Sequence, residues 1–233
     1  MNFDIGVEDI ESNHWVAYVF ELFGCFSSGR TQDEAVAGVP AKIHDYLSAH
    51  QWRIWTEDGW FLYTTGPYEI GTVEVFRSHP AAEDASYRVN AFFADDSHPL
   101  TNFDLTTGWG VLAEIRDELM KLVQALPAER LNAAIPDDTR FGSIAGILKH
   151  VANTEWWYCD RLGLVEDGAA LPDHPLKALE VARANTILRL PEMVGDPRVV
   201  ERTSERWSGR KVLRRTIWHE RDHTEHIRGL LNP

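Results

Sequence analysis

The strongest constraint on this chain lies near its C-terminus, in residues 208–231, S-G-R-K-V-L-R-R-T-I-W-H-E-R-D-H-T-E-H-I-R-G-L-L. Val212, Thr216, His219, His223, Ile227 and Leu230 recur at three- and four-residue intervals, so the spacing predicts one face of an amphipathic helix with Ser208 as its N-cap. Two histidines thus fall in the stripe that a helical core would bury. One turn separates His219 from His223, which lets both imidazoles reach a single divalent cation. His226, three residues further on, shares the sector, so three of the chain's ten histidines gather here. Imidazoles buried among apolar side chains without partners are costly, and a metal is one way to satisfy them.

Three further segments carry the helical period. Residues 109–126 place Leu112, Ile115, Leu119, Leu122 and Leu126 on one face and stop at Pro127; residues 143–162 carry Ile147, Val151 and Tyr158; residues 176–190 run up to Pro191. Four amphipathic helices of similar length predict an all-α four-helix bundle over residues 101–233. The connection before the last helix is about fifteen residues, longer than a simple bundle needs, so part of it is expected to be ordered against the bundle. His150 stands in the second helix, in G-I-L-K-H-V-A-N-T-E-W-W-Y, beside the apolar stripe.

Residues 1–100 read as a small α+β domain. Apolar and alternating runs over 1–8 and 14–20, with Glu11-Ser12-Asn13 between them, predict a hairpin. Thr31 and Glu34 have capping-box spacing, and Ala35, Val39, Ile43 and Leu47 mark the face of the helix that follows, although Pro40 should kink or break it. The aromatic residues Trp52, Trp55, Trp60, Phe61 and Tyr63, then residues 70–76 and 87–93, predict three or more further strands, with breaks at Gly66-Pro67 and residues 79–82. Such aromatics suit a core and a sheet surface better than a binding cage. Residues 98–107 are expected to be linker. Residues 15–36, W-V-A-Y-V-F-E-L-F-G-C-F-S-S-G-R-T-Q-D-E-A-V, resemble the antitoxin-type HicB domain, in which two strands, a small-residue turn and a T-x-x-E-A helix start recur. That resemblance covers residues 1–50. The expected fold class is therefore multidomain, α+β followed by all-α.

Charge and cysteine usage narrow the setting. Of the net charge of −13, residues 1–100 carry −11, with 5 Lys/Arg against 16 Asp/Glu. So acidic a half argues against nucleic acid, whose phosphates need clustered Lys and Arg, and fits a solvated surface or a docking face for a basic partner. The two cysteines, Cys25 and Cys159, lie in different halves, so reduced thiols are expected rather than a disulfide. Cys159 lies up to ~13 Å along the helix from His150, which makes it a packing residue. No apolar run approaches the ~20 residues of a membrane span, and the acidic start lacks a basic region followed by an apolar one. A cytoplasmic protein that does not enter a membrane is the expectation.

Together, G-I-L-K-H-V-A-N and W-H-E-R-D-H-T-E-H-I resemble the DinB-like (DinB/YfiT-type) superfamily. Those four-helix bundles carry one metal-binding His on the second helix and an H-x-x-x-H pair on the last. The match covers residues 103–233 and maps the ligands onto His150, His219 and His223. It implies one divalent metal ion, for which Zn, Ni, Fe or Mn is suitable, and a transferase or hydrolase acting on a small molecule, with a low-molecular-weight thiol and a homodimer both left open. The alternative from another class is a regulator, in which the HicB-like domain binds a protein partner and the metal only staples the bundle. His219-Glu220-Arg221-Asp222-His223 also satisfies H-E-x-x-H, the zincin pattern, but zincins take their third ligand from downstream, where only ten residues remain. Glu220 is left as a base for a metal-bound water or as a flanking group. His226 is left as a donor that fixes a ligand's tautomer or as a surface residue.

Overall fold

The computed structural model describes residues 1–49, 55–56, 59–60 and 67–232, and the chain divides into two compact units, 1–97 with 201–206, and 98–200 with 207–233. The sequence boundary falls at 100/101, and residues 201–206, which that reading leaves with the bundle, group with the first unit. No helix among the described residues is long and apolar enough to cross a membrane.

The first unit is built on a four-stranded sheet. Strands β1 (Asn2–Glu11) and β2 (His14–Val19) form the expected hairpin, with Asn13 taking the positive φ its turn requires. β3 (Phe26–Gly29) adds to β2, and β6 (Glu69–Phe76) pairs parallel with β1 on the other side. The short strands β4 (Trp55–Thr56) and β5 (Gly59–Trp60) pair with each other, whereas Trp52, Phe61 and Tyr63 lie outside the described residues. Helix α1 (Gln32–Ala49) packs on the sheet through Ala35, Val39, Ile43 and Leu47. The Glu34 amide donates to Thr31 Oγ1 at 3.1 Å, while the Glu34 carboxylate accepts from the Arg30 amide at 2.8 Å. Pro40 neither breaks nor ends the helix. It costs one i→i−4 bond, and the buried face on either side of it holds the helix through that gap.

The opposite sheet face takes a non-strand segment. Residues 87–93 form only the two-residue strand β8 (Arg88–Val89), paired with β7 (His79–Pro80), where the sequence suggested a break. The reason is competition from side chains. Asn90 N–H donates to Glu205 and Ala91 N–H donates to Glu8 Oε1 at 2.7 Å, so these amides are drawn away from a ladder, and the Tyr87 hydroxyl also donates to Glu205. Gly6 admits the Phe20 and Phe93 rings, each of which would lie 2.7 Å from a Cβ at that position.

The second unit is helical. Helices α2 (Asn102–Val123), α4 (Ile144–Arg161), α5 (Pro175–Arg189) and α6 (Gly209–Leu231) contribute Leu119 and Val123, Ile147 and Val151, Leu179 and Ala182, and Ile227 to one core. A single turn, α3 (Ala128–Leu131), lies between α2 and α4. Ser143 and Ser208 cap α4 and α6, each accepting an amide three residues on at 3.1 Å. α2 begins seven residues before the expected start, because Thr101 and Asp104 form a full capping box, and the expected linker 98–107 is correspondingly short. Gly108 inside α2 lets Leu213 of α6 come within 2.8 Å of where a Cβ would stand. The α5–α6 connection is ordered by a 3₁₀ turn (Leu190–Met193), by a bridge from Leu100 to Val194, and by strands β9 (Val200–Arg202) and β10 (Glu205–Trp207).

A candidate metal centre

Two helices supply the histidines named from the sequence. α4 carries His150 and α6 carries His219 and His223 one turn apart, and the ligand atoms of the three lie within 4.8 Å of one another. His150 Nε2 and His219 Nε2 are 3.1 Å apart. The ring centroids lie 4.9 Å apart for His150 and His219, 5.0 Å for His150 and His223, and 4.5 Å for His219 and His223. His219 and His223 are buried and His150 is half-buried. The buried Nδ1 of His223 has no hydrogen-bond partner among the described residues.

Electrostatics keeps all three rings uncharged. Burial, with Arg140 adding to it, takes His150 down to about 4. Burial, then His150, His226 and Arg140, take His223 down to about 3. Burial holds His219 well below its ordinary value, with His223 and His150 next in weight. Each imidazole therefore presents a lone pair at neutral pH, which is the form that ligates.

The donor set fits a divalent cation. Imidazole nitrogens bind Zn²⁺ at about 2.0–2.1 Å, so two of them on one tetrahedral ion stand roughly 3.3–3.4 Å apart. The 3.1 Å between His150 and His219 is close to that edge. The widest separation is no more than 4.8 Å. Among the described residues no fourth His, Cys, Asp or Glu joins the group.

Glu220, the neighbour of His219, is committed elsewhere. Its carboxylate accepts from Arg116 Nε at 2.5 Å and Nη2 at 3.2 Å, and also from Arg183 Nη2. Arg183 donates in turn to Glu155 at 2.8 and 3.2 Å. Two backbone carbonyls complete the cluster, Leu112 O accepting from Arg183 and Leu179 O from Arg116. Burial pushes the Glu220 pKa up, but Arg183 and Arg116 outweigh it and hold the carboxyl below its usual value. A carboxylate so saturated is not a base for water, which removes the zincin reading of H-E-x-x-H along with the third histidine's position 69 residues upstream of His219.

The remaining sequence candidates are peripheral. His226 is half-buried, its ring 6.2 Å from that of His223, and it stands outside the three-histidine group. Cys159 is fully buried with its thiol pushed up to about 12 by burial, and it lies 3.5 Å from Thr186 Oγ1. That makes it a packing residue. Sequence reasoning missed Phe141, whose ring lies 5.0 Å from that of His150, 5.3 Å from His223 and 5.9 Å from His226. The only signal for it was an aromatic residue two places before the Ser143 cap. No family model, curated protein or solved structure matches the chain.

Proposed function

We propose that the chain binds one divalent cation through His150, His219 and His223 and acts as a metal-dependent transferase or hydrolase on a small molecule, as the DinB-like resemblance implies. The observation that carries this reading is three uncharged imidazoles with ligand atoms within 4.8 Å and, among the described residues, no fourth protein ligand beside them. Structural zinc sites are closed by four protein ligands, whereas catalytic ones keep a position open. That distinction favours an enzyme over a staple. A bound ion supplies a Lewis acid and an acidified water. The chain's own part is to hold three neutral lone pairs on two helices, to keep Glu220 out of the coordination sphere, and to bury the His219 side of the group under Tyr158 and Trp218.

The strand–strand–strand–helix order of the first unit and the Thr31–Glu34 start of α1 support the HicB-like reading of residues 1–50. Elemental analysis of protein purified without an affinity tag tests the metal assignment. One divalent ion per chain is expected, lost in His150→Ala, His219→Ala and His223→Ala. Full occupancy in those variants, or none in the wild type, would sink it.

A further inference from the structure

We propose that Phe141 is the gate of the histidine site, its ring setting the size of the external ligand that can reach a cation held there. This rests on the metal reading above and extends it to specificity. The three rings are flanked unequally. His219, buried like His223, has Tyr158 at 6.2 Å and Trp218 at 6.0 Å, both buried. His150 and His223 meet Phe141 instead, which is half-buried and sits outside the helices in the approach to α4. The half-buried His150 thus has the half-buried Phe141 ring beside it.

The segment that presents this ring is fixed rather than loose. The Asp138 carboxylate accepts from the Arg140 amide at 2.8 Å and from the Phe141 amide at 2.9 Å. The Ile135 amide donates to Gly142 O at 2.9 Å and the Asp138 amide to Ile135 O at 3.2 Å. Asp137 and Gly142 take positive φ values of 59° and 71°, which fold residues 135–142 back on themselves. Gly146 admits the Phe141 carbonyl, since a Cβ there would stand 2.0 Å from that oxygen. The inner side of the ring also packs against the helical core. Placed by this backbone over two of the three histidines and held there by its packing against the helical core, the ring works as a size filter. Small ligands pass it; ligands with a ring beyond the donor atom compete with it for the same volume.

The test uses the full chain loaded with Co²⁺ and read by its visible absorption, with azide, imidazole and 4-phenylimidazole as probes. Metal content is measured first in the wild type, Phe141→Ala and Phe141→Leu. The expected result is one Co²⁺ per chain in all three, nearly equal azide affinity, and 4-phenylimidazole binding at least about tenfold tighter in Phe141→Ala than in wild type, the scale set by room for one buried aromatic ring. Phe141→Leu, which keeps an apolar contact with the core, should fall between the two. If the wild type takes up no Co²⁺, the metal reading fails and the gate falls with it. If metal binds but the preference for small over large probes is the same in all three proteins, the gate alone is overturned. Loss of Co²⁺ from both variants would likewise overturn it, by showing that Phe141 holds the ligands rather than filters access.

Discussion

Residues 219 and 220 are neighbours on α6, yet they belong to opposite kinds of buried polar cluster. Glu220 joins Arg116, Glu155 and Arg183 in a group of two positive and two negative charges whose hydrogen bonds are made within the protein. His219 joins His150 and His223 in a group with no charge, ligand atoms within 4.8 Å of one another, and one buried nitrogen, Nδ1 of His223, without a partner among the described residues. Saturation is the difference. A cluster that satisfies itself specifies packing, whereas one that is left incomplete has donors available to a ligand, which is the proposal above.

The comparison breaks most sharply if the saturated cluster is disturbed. Glu220→Ala leaves the buried Arg183 and the half-buried Arg116 with one carboxylate, and removing one partner of a buried ion pair typically costs about 3–5 kcal/mol. A loss of that size is expected in chemical unfolding of the helical unit. A change under ~1 kcal/mol would mean that water reaches the arginines and the cluster is not sealed.

Next in size is metal affinity. His219→Ala should weaken binding by more than the ~10–100-fold that loss of an outer-shell partner costs, because a ligand is removed. Competition with a chromophoric chelator reads this directly, and an unchanged constant would move the site elsewhere.

Proton linkage separates the clusters more gently. His150 and His223 have folded values of about 4 and about 3 against an ordinary 6.5, so the unfolded chain takes up protons first as pH falls. Stability of the metal-free protein from this source is complete above pH 6.5 and is lost progressively down to pH 3–4. The same depression moves proton competition for metal from the 6.5 expected of ordinary imidazoles to near pH 4. Denaturant titrations at several pH values, beside the His150→Asn/His223→Asn double variant, should show a shallower pH slope in the variant; equal slopes would contradict the assignment.

The smallest effect sharpens the contrast. His223→Leu exchanges an imidazole with an unpartnered nitrogen for an apolar side chain of similar bulk, so the metal-free protein should stay within about 1.5 kcal/mol of wild type or exceed it. A penalty as large as that of Glu220→Ala would show that the histidines, too, form a self-satisfying network.

What the sequence disclosed follows from the range of each interaction. Ser143 and Ser208 announce their helices because capping is local, and His219 and His223 announce a shared face because four residues make one turn. The start of α2 was hidden. Gly108 falls between the expected linker and the expected helix start until Leu213, far along the chain, shows why a glycine is needed there. The Arg116–Glu220 and Arg183–Glu155 pairs join residues 104 and 28 positions apart, and no spacing rule marks them. Phe141 is legible only once α4 and α6 are side by side. Residues 87–93 carry strand-like side chains, but their amide partners are Glu8 and Glu205, which no alternation pattern predicts.

The hairpin containing residues 201–206 gives the chain an interlaced order. Its Glu205 accepts from Tyr87 and Asn90, and its Ser204 hydroxyl donates to Glu83, all in the first unit, while the helices on either side of it belong to the second. The chain therefore changes unit three times, at 97/98, 200/201 and 206/207. A single proteolytic cut at 97/98 would not yield two complete modules: the N-terminal fragment would lack one of its own pieces, and the C-terminal fragment would carry it. Such halves are suited to fragment complementation, each recognising the other through a short β-hairpin.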